Sequence, residues 1–232
     1  KFLKENNINY EPNQITVGNG AKQVLYNVFM ASLNQGDEVI IPAMTYIATA
    51  AAVSYQNAIP VFVDIERGSF NLDPEKLEEA ITEKTSAIVF IDYGGNPSNC
   101  DSILEIGKKY NVPVVQDGAQ SLGAIYKGSP MGAQTEISTM SFHMAKIMTC
   151  VEGGMIFTHS ESYKDQIICR RNQGEPINSK YMHTLLGTNA RMTDIQAAIG
   201  LAQFRKLTQF LEKRKRVANQ YDDLLSVEGI NL

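Results

Sequence analysis

Three places in this sequence bring together residue types that could act on a carbonyl or an amine. The first is Lys146, which closes the run Ser138-Thr139-Met140-Ser141-Phe142-His143-Met144-Ala145-Lys146 and precedes Ile147, Met148, Thr149, Cys150 and Val151, then Glu152-Gly153-Gly154. A lysine is ordinarily a solvated surface charge. Apolar, small-residue company favours a neutral amine and permits Schiff-base chemistry. The second place is Asp117-Gly118-Ala119-Gln120, where a carboxylate follows an apolar run and either caps the next helix or serves as an acid. The third is Gly18-Asn19-Gly20-Ala21-Lys22, a glycine-rich turn after Ile15-Thr16-Val17. Backbone amides at the positive end of a helix bind a phosphate dianion, and the competing reading is a tight corner that needs glycine.

The elements that must position these residues are legible from periodicity. Apolar, β-branched runs at 15–17, 38–41, 61–65, 87–92, 112–116, 138–142 and 154–158 predict strands. Segments of helical period lie at 21–33, 45–55, 74–81, 102–110 and 163–172. Leu25, Phe29 and Leu33 share one helix face, and Asp73 before Pro74 marks a helix start. Strand and helix alternate, which predicts an α/β fold with a mostly parallel central sheet and helices on both faces. Ligands of such sheets sit beyond the carboxyl ends of the strands, where all three candidate places fall. From Met192 onward the pattern is almost purely helical, with 194–207 followed by a charged stretch to Leu225, which predicts one long helix leaving the sheet domain. Residues 1–207 are expected to form the large domain and 208–232 a helix leading toward a small domain largely absent from this chain.

Composition narrows the function classes. A chain of 232 residues with 44% apolar content can bury a substantial core. The net charge of −4, with no basic run beyond 213–216, argues against a nucleic-acid surface and for a small-molecule partner. Cys100, Cys150 and Cys169 lack zinc or redox spacing and read as reduced thiols, as in the cytoplasm. No apolar run matches a membrane span, and Lys1-Phe2-Leu3-Lys4-Glu5-Asn6 is too polar for a signal peptide. The first residue is not Met, so the expectation is a chain without its native start. His143, His159 and His183 lack ligand spacing and partners, and no metal is expected.

One cofactor asks for all three places. Pyridoxal phosphate needs an amine for its aldehyde, an acid to keep its ring nitrogen protonated, and a cradle for its phosphate. Lys146, Asp117 and the turn at Gly20-Ala21 offer one each. Residues 44–207 also resemble the DegT/DnrJ/EryC1/StrS family of sugar aminotransferases, which are fold-type-I enzymes using this cofactor. The resemblance is carried by Gly36-Asp37-Glu38-Val39-Ile40-Ile41-Pro42, Thr45-Tyr46, Pro60-Val61-Phe62-Val63-Asp64-Ile65, the run Asp117 to Ala124, Ser141-Phe142, Lys146, Glu152-Gly153-Gly154 and Gly187-Thr188-Asn189-Ala190-Arg191-Met192.

The resemblance implies that Lys146 carries the cofactor and Asp117 faces the pyridine nitrogen, with Gln120 near the ring hydroxyl and Tyr46 stacked on the ring. Ser141, Gly20 and Ala21 match the phosphate cradle. Asn189 matches a residue delivered by a neighbouring subunit, which implies a homodimer with a shared site. The implied reaction takes an amino group from an amino acid, typically glutamate, to a keto sugar on a nucleoside diphosphate. A branch of the family with histidine in place of the lysine dehydrates sugars, and Lys146 excludes it.

The text departs from the family in places. Asn19-Gly20-Ala21-Lys22-Gln23 stands where a Ser-Gly-Thr type of turn is usual, Val151 replaces a glycine and Ala190 an aromatic. Residues 10–42 look more like aspartate-type class I aminotransferases. An amino-acid transaminase is therefore the rival enzyme, although it predicts a carboxylate-binding arginine after Lys146, and 147–154 contains none. A non-catalytic regulator on the same fold is the alternative of a different class.

Overall fold

The computed structural model describes residues 10–132 and 134–225. The polar start of the chain and residues 226–232, at the end of the expected second region, lie outside the described residues. The strands are β1 (Ile15–Gly18), β2 (Glu38–Pro42), β3 (Ile59–Val63), β4 (Thr85–Ile91), β5 (Val114–Asp117), β6 (Ile125–Tyr126), β7 (Ser129–Pro130), β8 (Ile137–Ser141) and β9 (Gly154–Thr158). The helices are α1 (Ala21–Ser32), α2 (Ile47–Ser54), α3 (Pro74–Glu79), α4 (Cys100–Tyr110), α5 (Glu161–Arg171), α6 (Asp194–Phe204) and α7 (Leu207–Leu224).

One sheet runs in the order β1-β9-β8-β5-β4-β2-β3. The pairs β3/β2, β2/β4, β4/β5 and β5/β8 are parallel, whereas β9 is antiparallel to both β8 and β1. The sheet is thus mostly parallel, as the alternation of strand and helix predicts. Side chains alternate across it with period two. Ala87, Val89, Val115, Ile137 and Ile156 pack with Val24, Val28 and Phe29 of α1 and with α2 and α5. Ile88, Phe90 and Val114 face the other way, onto Leu77 of α3 and Ile103 of α4. Burial on both faces is why these strands read as continuous apolar runs.

Several boundaries shift for local reasons. The strand expected over 61–65 starts earlier, at Ile59, and contains Pro60. Its place at the edge of the sheet leaves the missing amide of Pro60 without a required partner. Tyr46 precedes α2 as its N-cap residue and is not part of the helix. Helix α4 starts earlier than predicted because the Asn99 side chain accepts from the Ser102 amide, and α5 because Ser160 accepts from the Tyr163 amide. A small hairpin of β6 and β7 escapes the sequence reading. Its turn places Lys127 (φ 46°) and Gly128 (φ 84°) in left-handed conformations, and only the second is a glycine.

The expected long C-terminal helix is two helices. The chain breaks at Arg205 and Lys206, where Lys206 turns to ψ 0° and its amide bonds back only to Gln203. The break buries Leu207 and brings Leu211 onto Gly123, beside Leu122 and Phe142, before α7 becomes exposed from Glu212 onward. Contact with the sheet domain, which no helical period reveals, sets this kink. Phe29 is fully buried at the centre of the α1 face, so Phe29→Ala is expected to cost about 3–5 kcal/mol, read as a lower urea midpoint; a loss below about 1 kcal/mol would show that this face collapses around the gap.

Candidate active site

Four strand ends meet at one edge of the sheet. The register places Ile91 of β4 beside Asp117 of β5, and Asp117 beside Thr139 of β8. Gly154, the first residue of β9, pairs with both Ser141 of β8 and Gly18 of β1. Because β9 is antiparallel to its neighbours, its start lies where β1, β5 and β8 end. The residues expected to act together are thereby collected from positions 18 to 154.

Asp117 is the most constrained of them. It is buried, and its carboxylate accepts from the Thr49 hydroxyl at 3.1 Å and from the Ala119 amide at 3.1 Å. Burial holds its proton affinity above the ordinary aspartate value, against the Ala119 and Thr49 hydrogen bonds and the positive charge of Lys146, which lower it. Lys146 is thus near enough to act on Asp117 electrostatically. Its backbone amide bonds to the His143 carbonyl, which closes the turn after β8, and its side chain is half-buried between exposed Met144 and Ala145 and buried Met148. The apolar company expected from the sequence is therefore one-sided, because the turn exposes the residues before the lysine and buries those after it.

The turn after β1 has a backbone shape that requires glycine. Gly20 stands at the N-cap of α1 with φ 134°, a conformation that side-chain-bearing residues rarely adopt. A Cβ on Gly154 would lie 2.5 Å from the Gly20 carbonyl carbon and 2.7 Å from the Ala21 nitrogen. Only glycine lets β9 come this close to the turn, so Gly154 has a structural role beyond that of a turn residue. Ser141, buried on the other side of Gly154, accepts from the His143 amide at 3.3 Å. Gly20, Ala21 and Ser141 accordingly flank one glycine and present backbone amides and a hydroxyl.

The other expected residues are placed as follows. Tyr46 is exposed at the start of α2, and the Lys22 ammonium lies 4.9 Å from its ring centre and 3.5 Å from its hydroxyl. Gln120 is half-buried, and its side-chain oxygen accepts from the Gly94 amide at 2.9 Å. Asn189 is exposed and bridges Asn172 through the backbone. Its neighbour Ala190 accepts from the Asn19 amide at 3.1 Å, next to the Gly20 turn.

Sequence reasoning missed Thr49, which contacts Asp117 from a helix 68 positions away, and Lys22, whose meaning depends on Tyr46. It also missed the histidine partners. His143 accepts from the Ala145 amide and lies 3.6 Å from Glu152, His159 stacks on Tyr10, and His183 lies 3.0 Å from the Gln173 carbonyl. None of these pairs has a sequence signature.

The pairing pattern and the residues at the carboxyl edge define the class, the large domain of a fold-type-I pyridoxal-phosphate transferase. The chain belongs to the DegT/DnrJ/EryC1/StrS aminotransferase family, whose model matches residues 8–230. The match runs through the segment that looks aspartate-like, and both groups share the fold. GDP-perosamine synthase of Caulobacter vibrioides is 40% identical over 215 residues, covering 93% of this chain and 58% of that protein. DesV of S. venezuelae, solved in complex with a ketimine intermediate, is 31% identical with a TM-score of 0.87, over 94% of this chain and 58% of that one. NtdA of Bacillus subtilis, solved with bound cofactor PMP, is 30% identical with a TM-score of 0.85, over 95% of this chain and 49% of that one. The chain spans about three fifths of the length of the curated relatives it matches.

The strained protonation of Asp117 is measurable without any ligand. Its folded state keeps the proton to higher pH than the unfolded chain, so its contribution to stability is present at low pH and is lost as pH rises through the ordinary carboxylate range to the folded value. Asp117→Asn is expected to raise the urea midpoint near neutral pH, with the gain shrinking toward about pH 4. A lower midpoint at neutral pH would show that the buried charge is fully compensated by its donors.

Proposed function

We propose that this chain forms the cofactor-binding part of an aminotransferase that moves an amino group from an amino acid, glutamate in the first instance, to a keto sugar linked to a nucleoside diphosphate. The observation that carries it is Lys146 set against buried Asp117, beside a turn opened by Gly154. The donor set suits pyridoxal phosphate: an amine for the aldehyde, a buried acid for the ring nitrogen, and the amides of Gly20 and Ala21 with Ser141 for the phosphate. When bound, the cofactor supplies an electron-withdrawing ring that accepts negative charge from the substrate carbon.

The residues have distinct tasks. Lys146 would hold the cofactor through its amine, and the same amine, when free, would carry a proton to and from the substrate carbon. Asp117 would hold a proton at the ring nitrogen. Its burial strengthens that ion pair, because a desolvated carboxylate gains more from a nearby cation than a solvated one does. Thr49 and the Ala119 amide fix the direction of the carboxylate. Gln120 is assigned to the ring hydroxyl and Tyr46 to stacking on the ring.

Asn189 is assigned to the cofactor site of a neighbouring subunit, in a homodimer. Exposed Ile47 and Tyr55 near Tyr46, and Ile177, Tyr181 and Leu186 in the segment before Asn189, support such an interface. We place the protein in the cytoplasm on its unpaired buried thiols. Among the described residues no helix is long and apolar enough to cross a membrane.

The sugar reading rests on the identity with GDP-perosamine synthase and on the lack of arginine in 147–154. Added pyridoxal phosphate is expected to give an absorbance band near the visible edge that Lys146→Ala abolishes. Glutamate or a nucleotide-linked amino sugar should bleach it in a half-reaction. Bleaching by aspartate without response to any sugar nucleotide would favour the amino-acid transaminase, and no band at all would defeat the cofactor assignment.

A further inference from the structure

A second buried carboxylate stands behind the candidate site. Asp92 directly follows β4 and is fully buried. One of its oxygens accepts from the Gln116 side-chain amide at 2.7 Å and the other from the Ser98 backbone amide at 3.1 Å. Gln116 immediately precedes Asp117 on β5, and its own oxygen accepts from the Gly132 amide at 3.2 Å. Successive residues of a strand point to opposite faces. Asp92 and Gln116 therefore lie across the sheet from the Asp117 carboxylate.

The partners of Asp92 lie on both loops that frame the site. Ser98 ends the turn that begins at Tyr93, and Gln116 immediately precedes the segment of Asp117 and Gln120. The two loops also touch directly. The Gly94 amide donates to the Gln120 side chain at 2.9 Å, and a Cβ on Gly95 would come within 2.9 Å of the Gln120 carbonyl oxygen. Gly94 and Gly95 both have positive φ, so this turn has a special backbone shape that must be held. Asn71 holds it from outside, accepting from the Tyr93 amide and donating to the Asn96 carbonyl.

We propose that Asp92 is a positioning residue, a buried staple that locks the Tyr93–Ser98 turn to the Asp117–Gln120 turn and so fixes Gln120 against the cofactor. Its partners are all donors, which only an acceptor-only carboxylate satisfies. An asparagine at this site offers one oxygen and one NH2, so either Ser98 or Gln116 loses its acceptor. Flipping Gln116 only passes the fault to the Gly132 amide. Asp92→Asn/Gln116→Glu moves the carboxylate one strand over. The introduced amide after β4 then accepts from Ser98 and donates to the introduced carboxylate on β5, which still accepts from the Gly132 amide, so those bonds re-form.

The inference rests on the assignment of Asp117 and Gln120 to the cofactor, and its test has one arm independent of it. Amide hydrogen exchange and pyridoxal-phosphate affinity are measured on the full chain and both variants. In Asp92→Asn, exchange at Gly94 and Ser98 is expected to rise about tenfold relative to the amides of β8 and β9, and cofactor binding to weaken about tenfold; the double variant brings both back to within about threefold of the parent. Unchanged exchange at Gly94 and Ser98, an even acceleration across the molecule, or failure of the double variant to recover would each overturn the proposal. So would a selective loosening with undiminished cofactor affinity, which would make Asp92 a staple of the fold alone. A parent that binds no pyridoxal phosphate would overturn both the cofactor assignment and this use of Asp92 against it, while the exchange arm still decides whether Asp92 locks the two turns.

Discussion

Burying a charge at the end of a central strand constrains more of this molecule than any other single feature. Asp117 ends β5, in the middle of the sheet, where water cannot solvate it. Such a group persists only when other groups are aimed at it. They come from the N-terminal turn of α2 through Thr49, from the turn after β5 through Ala119, and from the loop after β8 through the charge of Lys146. Three distant stretches of chain are thereby oriented about one carboxylate. The remaining imbalance, a proton affinity held above the ordinary value, is what a bound cation would relieve. Stability is thus given up at this residue, and the proposed cofactor is the group that would restore it.

The second constraint is steric. Gly18 and Ser141 pair with the same residue, so whatever occupies position 154 sits between the α1 turn and the end of β8. A side chain there would enter the backbone of Gly20 and Ala21. The antiparallel direction of β9 makes this arrangement possible, since it brings a strand start to an edge otherwise built from strand ends. The shape of the turn at Gly20 therefore depends on the one strand of the main sheet that breaks the parallel pattern.

Behind the site, Asp92 and Gln116 repeat the logic of Asp117 with donors in place of a cation. Two buried carboxylates, one ending β5 and one directly after β4, point to opposite faces of the sheet. This division follows from the period of the strand, because Ile91 is the residue paired with Asp117 and Asp92 lies one position further on.

Much of this was legible in the residues themselves. The period of apolar positions marks each strand of the main sheet and the helices that cover it, and Asp73-Pro74 fixes a helix start, because these signals act within a few residues. The identities of Lys146, Asp117 and the Gly20 turn, and their placement after strands, follow in the same way. The tertiary structure alone decided which groups meet. Thr49 reaches Asp117 across 68 positions and Gln116 reaches Asp92 across 24, and the break at Lys206 exists because Leu207 and Leu211 find the sheet domain. A contact formed by closing a long loop leaves no periodic mark in sequence, since its energy depends on where two elements dock and not on the propensities of either one.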